Sequence, residues 1–168
     1  MDLGVPPGWV AAALERAEVR FVTQVVRDGG IGPWREQMTE RFSAACSAGA
    51  GLSRADTAAL VVALADRSVR DLCWLRVEED RHPDWVALWW HLARHARPPY
   101  RAEPLFLLAW SAWRAGDVGL ARDALDAARA ADPGHHPAVL LDTMLAARLG
   151  PGELPSLADQ IRTPGGTS

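Results

Sequence analysis

His91 and His95 stand four residues apart in HLARH, a spacing that puts two imidazoles on one face of a helix, where they can share a metal ion. A small metal-dependent hydrolase could be built on such a pair. It would need a third ligand and usually a general base, and the Glu of the HExxH pattern is missing here. Glu103, Cys73 or His82 could complete the set only if the fold brought one of them in. The sequence therefore predicts no metal and no cofactor. The two histidines read as polar-face residues near a helix end, where the helix dipole favours positive charge. His135-His136 follow Pro133-Gly134 in an inter-helix turn and read as surface or capping residues. Asp66, Arg67, Arg70 and Asp71 make two opposite-charge pairs at i,i+4, which predicts an ion-pair network at a helix junction and not an acid/base couple. Ser43, Ser53, Ser68 and Ser111 lie in no nucleophile elbow, Asp117-Val118-Gly119 is no phosphate loop, and GxxxxGK[ST] is absent. No catalytic residue is predicted, and the chain is read as not an enzyme.

The tryptophans offer binding chemistry instead. Trp34, Trp74, Trp85, Trp89, Trp110 and Trp113 fall on otherwise apolar faces and are expected in the core. Trp90 lies beside the main apolar stripe with Arg94 and Arg97 close by, and aromatic and Arg side chains together are the composition of a binding hot spot. Trp90, Arg94 and Arg97 are the candidate binding surface. The same indole–guanidinium combination can stack bases, so a single-stranded nucleic-acid binder dependent on Arg94 is one alternative function. The net charge of -3 weakens it, since nothing global attracts a polyanion or an anionic membrane.

These residues must be positioned by 168 residues, enough for one ordinary domain with a core of its own. Hydrophobic residues make up 49% and charged residues 23%, which fits a globular chain and argues against extended disorder. All basic residues are Arg, and Lys and Asn are both absent, the imprint of a GC-rich genome. Cys46 and Cys73 sit in apolar stretches and read as buried free thiols. MDLGVPPGW lacks the basic and apolar regions of a signal peptide, and no apolar run approaches the ~20 residues of a membrane span. A cytoplasmic location is expected.

The periodicity is helical throughout, with no strand-like alternation. Residues 9 to 28 repeat Val10, Leu14, Ala17, Phe21 and Val25 on one face and end at Asp28-Gly29-Gly30. Gly32-Pro33 restarts the chain, and Trp34, Met38 and Phe42 form a stripe up to the small-residue break at 48 to 51. Ser53 reads as an N-cap with Asp56 in the first turn, and TAALVVALA at 57 to 65 should be buried on several sides. Ser68 with Asp71 repeats the cap pattern, placing a break near Asp66-Arg67 and a shorter helix carrying Val69, Leu72, Cys73 and Leu75. Pro83 opens a helix with Trp85, Leu88, Trp89 and Leu92, closed by Pro98-Pro99.

Residues 105 to 133, LFLLAWSAWRAGDVGLARDALDAARAADP, carry the clearest pattern. A helix apolar on two faces meets a Gly116-Asp117 turn, then an Ala-rich helix with Ala121, Leu125 and Ala128 inward and Arg122, Asp126 and Arg129 outward. Small residues fall where antiparallel helices must approach closely. His136 to Leu149 makes another helix, with Val139, Leu140, Thr143, Met144 and Ala147, stopped by Gly150-Pro151-Gly152. With Pro133 as closing proline, residues 105 to 128 match one tetratricopeptide-like unit of the usual period of about 34 residues. One period back, Ala87 and Trp74 fit loosely; one forward, Val139 and Ala146 fit but Asp142 breaks the pattern. The fold class expected is all-α: stacked antiparallel helical hairpins in a right-handed, tetratricopeptide-like array. A helical pair at 1–52 should cap it, 53–152 should form the array, and 153–168 should be a short helix and tail, one domain in all.

The segments LVVALADRSVRDLCWLRV at 60 to 77 and HPDWVALWWHLARHARPPYRAEPLFLLAWSAWRAGDVGLARDALDAARAADPG at 82 to 134 also resemble the C-terminal region of an actinobacterial family, domain of unknown function 4192. Val69-Arg70-Asp71, Leu88-Trp89, the run ending in Ala112-Trp113, the Gly116-Asp117 turn and Asp132-Pro133-Gly134 carry the resemblance, over about residues 53 to 150. His135-His136-Pro137 departs from the family's usual continuation. The N-terminal α/β region usual in the family is not visible here, and the resemblance implies no catalytic residue. The function expected is a cytoplasmic protein-interaction module that offers a helical face to a peptide or protein partner, with self-association as one form of this. The hydrolase using His91 and His95 and the nucleic-acid binder are the alternatives.

Overall fold

Side-chain caps, prolines and glycines divide the chain into helices. In the computed structural model, which describes residues 4–48, 51–79 and 82–153 except the side chains at 48, 78, 79, 82 and 83, there are eight α-helices and no strand. They are α1 (Val10–Arg27), α2 (Ile31–Ala48), α3 (Arg54–Ala63), α4 (Arg67–Glu79), α5 (His82–Arg94), α6 (Ala102–Arg114), α7 (Val118–Ala131) and α8 (His136–Ala146), followed by a short 3-10 turn at Pro151–Glu153. The all-helical expectation holds for the described residues. The expected short helix near 153 to 162 lies outside them beyond residue 153.

Four helix starts are fixed by caps that satisfy otherwise unpaired N–H groups. The Ser53 hydroxyl accepts from the Asp56 N–H at 3.1 Å, as its position predicts. Asp117 accepts from the Leu120 N–H at 3.0 Å, directly after Gly116, whose φ of 83° makes the turn. His135 caps α8 through Nδ1, accepting from the Ala138 N–H at 3.2 Å. The cap of α4 is a correction: Asp66, not Ser68, accepts from the Val69 N–H, at 3.1 Å, and Ser68 lies inside the helix. A carboxylate two residues earlier is a stronger acceptor than a hydroxyl.

From α5 onward the helices pack in chain order, α5 on α6, α6 on α7 and α7 on α8. Ahead of them the pairing skips: α1 lies chiefly on α3, and α2 reaches both α4 and α5. One continuous core joins residues of all eight helices. At its centre, α6 buries Ala102 and every residue from Pro104 to Trp113, as expected of a helix apolar on two faces. Trp34, Trp85, Trp89, Trp110 and Trp113 are buried. Trp74 is only partly buried, standing edge-on to Phe106 and Trp110 at 5.0 and 4.9 Å.

Two predicted faces are corrected. On α4 the buried row is Val69, Cys73 and Val77, at i, i+4 and i+8, which leaves Leu72 exposed. On α8 the buried residues are Ala138, Leu141, Met144 and Leu145, while Val139, Leu140, Thr143, Ala146 and Ala147 face outward. Helix α8 is apolar nearly all round, so its sequence marks no preferred face, and packing on α7 sets the rotation. Asp142, which breaks the repeat pattern, meets Arg129 of α7 in an ion pair.

Candidate functional site

The two histidines of α5 lie at the middle of a continuous polar and aromatic ladder. Their rings are 4.5 Å apart, as i,i+4 spacing on a helix requires. Beyond them, the Trp9 ring lies 5.3 Å from the His95 ring, and the Arg54 guanidinium sits over Trp9 at 5.3 Å, a cation–π arrangement. His91 Nε2 is 3.0 Å from the Thr57 hydroxyl of α3. The ladder therefore ties the segment before α1 and the start of α3 to the outer face of α5.

Each imidazole has a job in that ladder. The His95 Nδ1–H donates to the His91 carbonyl at 2.8 Å, closing the last turn of α5. Burial first, then the neighbouring charges of His95 and Arg94, holds the His91 pKa below the ordinary histidine value. The Thr57 hydroxyl can donate to His91 Nε2 or accept from its N–H. For both rings to share a metal, His91 would have to use a nitrogen other than the one Thr57 engages, or give up that bond. Among the described residues no group of three His, Cys, Asp or Glu is placed to hold a metal ion.

Of the third ligands considered from sequence, Cys73 is buried in the core, where burial pushes its thiol pKa up. Glu103 is engaged elsewhere. It lies 2.9 Å from Nε2 of the buried His135 and 3.4 Å from Nη1 of Arg70. With His135 Nδ1 accepting from the helix N–H, Nε2 carries the proton that Glu103 accepts. His135 is thus a capping residue, buried and not at the surface, and also a link between α8 and α6. The side chain of His82 lies outside the described residues.

His91 also forms part of the wall of a cavity of about 250 Å³ between the end of α2 and the outer face of α5. Ala45, Cys46, Leu52, Asp84 and Leu88 line it too, making it mostly apolar.

The charge network at the α3–α4 junction is real but is wired differently from the i,i+4 expectation. Asp66 pairs with Arg35 of α2, accepting from Nε at 2.9 Å and from Nη2 at 2.7 Å. Arg70 pairs with its neighbour Asp71 at 2.7 Å and reaches Glu103. Arg67 is exposed. The partners Arg35 and Glu103 are more than thirty positions away in sequence, so spacing could not show them.

Of the residues proposed from sequence as a binding surface, Trp90 is partly buried against the core, Arg94 is exposed and Arg97 is half-buried. Trp90 and Arg94 share a face of α5 by their spacing, while Arg97 follows the helix end.

The helices and the ladder define an all-helical domain whose buried polar groups mainly hold helices to one another. Residues 9–152 match the model of the family described as Domain of unknown function (DUF4192), and the chain belongs to that family. The match begins at Trp9, so it takes in α1 and α2 as well as the region from residue 53 on which the resemblance rests. No curated protein and no solved structure matches the chain. No helix among the described residues is long and apolar enough to cross a membrane.

Proposed function

We propose that the chain is a protein-interaction module that binds a peptide or protein partner through its helical surface and has no catalytic role. The observation that carries this reading is a row of exposed valines on α1. Val19, Val22 and Val26 are 67%, 58% and 76% exposed and recur at i, i+3 and i+7, so they form one stripe. Arg16, Arg20 and Arg27 lie around it. An apolar centre with a polar rim is the make-up of a protein contact surface. Trp90 and Arg94 on α5 offer a second surface of mixed aromatic and cationic character.

The chain-order packing of α5 to α8, with a tight Gly116-Asp117 turn between α6 and α7, supports a tetratricopeptide-like array. Sequential helical stacking makes extended surfaces of the kind such modules use. The Arg-only, Asn-free composition supports an actinobacterial source, and the free cysteines fit a cytoplasmic location.

Native mass spectrometry of the chain, purified gently from its host, tests the reading. A complex or a dimer that Val19→Asp/Val22→Asp dissolves is expected. A bare monomer in both forms would overturn it.

A further inference from the structure

We infer that the groove between α2 and α4 is a docking site for a short basic peptide segment, one that sets Arg or Lys side chains against α2 and an aliphatic stem against α4. The inference rests on the reading of the chain as a protein-interaction module but concerns a different surface from the valine row.

The groove has a volume of about 540 Å³ and is lined by Glu36, Thr39, Glu40 and Ser43 of α2 and by Leu72 and Arg76 of α4. That is room for a few side chains of a bound segment. Leu72 is the apolar side chain that the packing of α4 leaves in water, 41% exposed although it stands in the middle of its helix. The α2 wall offers acceptors. The Thr39 hydroxyl donates to the Arg35 carbonyl at 2.9 Å and the Ser43 hydroxyl to the Thr39 carbonyl at 3.3 Å. Their hydrogens are thereby committed to the backbone, which leaves the two hydroxyls as acceptors. Glu36 and Glu40 are exposed, and among the described residues neither carboxylate is held by a hydrogen bond or ion pair.

A wall made of acceptors calls for a ligand made of donors, and Arg and Lys are the side chains that donate without accepting. Their stems also lie well on apolar surface while the charged head reaches outward, which matches Leu72 beside Glu36 and Glu40. The two carboxylates are one helical turn apart, so they suit cations on one face of a bound segment.

The test is fluorescence anisotropy with the full chain and a labelled decapeptide, Gly-Arg-Leu-Arg-Gly-Arg-Leu-Arg-Gly-Ser, beside a version with every Arg replaced by Glu. The basic peptide should bind and the acidic one should not. Glu36→Gln/Glu40→Gln should weaken binding about tenfold, as expected for the loss of two exposed ion pairs. Glu15→Gln/Asp126→Asn, which changes the net charge equally at exposed sites elsewhere, should leave it within about twofold, a long-range charge effect that salt screens. Leu72→Ser should weaken it as well. All the substituted side chains are exposed, and circular dichroism verifies that the variants keep their helices. No binding by the unmodified chain, or equal losses in the two charge-matched variants, would overturn the proposal. So would amide shifts on peptide addition that fall outside residues 36–43 and 72–76. Because the valine row is tested by the host-derived complex, the groove can fail while that complex survives, and the reverse.

Discussion

Asp66 holds two structures at once, and substitutions can separate them. Its Oδ1 accepts from the Val69 N–H, capping α4, and from Arg35 Nε, while Oδ2 accepts from Arg35 Nη2. The carboxylate thereby clamps the start of α4 to α2, one residue before Glu36, and so fixes one end of the α2–α4 groove. Asp66→Ala removes the cap and the clamp together. An N-cap exchanged for Ala costs about 1 kcal/mol, which for a chain of this size lowers Tm by roughly 3 °C. Asp66→Asn keeps an oxygen for Val69 but turns an amide N–H2 toward a guanidinium, and Arg35 is open enough to water to swing away. The cap should dominate, so Asn should cost less than half of what Ala costs.

The pH dependence has a definite sign. Burial alone would raise the Asp66 pKa, but the hydrogen bond from Arg35, those from the Val69 and Ser68 backbone and the Arg35 charge together outweigh it and bring it below the ordinary value. A depressed folded-state pKa means the contribution is complete above the unfolded value of about 3.9 and is lost as pH falls through the lower folded value. Urea denaturation at neutral pH, repeated down to acid pH, measures both effects. The Asn variant should lose stability less steeply than the parent in the acid window. If Asn proves as damaging as Ala at neutral pH, the clamp and not the cap holds the junction, and the reasoning fails.

Three further outcomes follow from single side chains. Ser111 is fully buried in α6, and its hydroxyl has no hydrogen-bond partner among the described residues, so Ser111→Ala should raise stability by about 1 kcal/mol in chemical denaturation. His91 is held neutral below the ordinary histidine range, so its contribution is complete above about pH 6.5 and is lost as pH falls through its lower folded value. Melting temperature against pH should show that loss in the parent and a flatter profile in His91→Gln. Gly116 adopts φ of 83° in open space, so Gly116→Ala should meet no clash and cost only the left-handed strain of about 1–2 kcal/mol, read from the same denaturation curves.

What could be read in advance divides by the range of the interaction. The α6–α7 hairpin was legible because everything that makes it is local: a two-faced apolar helix, a Gly-Asp turn whose carboxylate caps the next helix, and Ala121 and Ala128 where the backbones meet. The cap at Ser53 was legible for the same reason. Phase was lost where apolar residues surround the helix, as in α8, since periodicity then no longer says which side packs. It was lost in another way on α4, where Leu72 and Val69 both satisfy helical spacing and only contact with α2 and α6 decides that Val69 goes in.

The candidate sites were the least legible part because none is local. The His91–His95 spacing was visible, but its meaning depends on Thr57, 34 residues earlier, and on Trp9, near the start of the chain. Those neighbours turn a metal-like spacing into a packed ladder. The α2–α4 groove gave no signal, since Glu36 and Glu40 look like any solvated helix face until Leu72 is found beside them. A chain whose polar residues were spent on local caps alone would show its surfaces in its sequence. Here Asp66, Glu103, His91 and Asp142 each reach another helix, so the surface left for a partner is set by which polar groups the fold has already used.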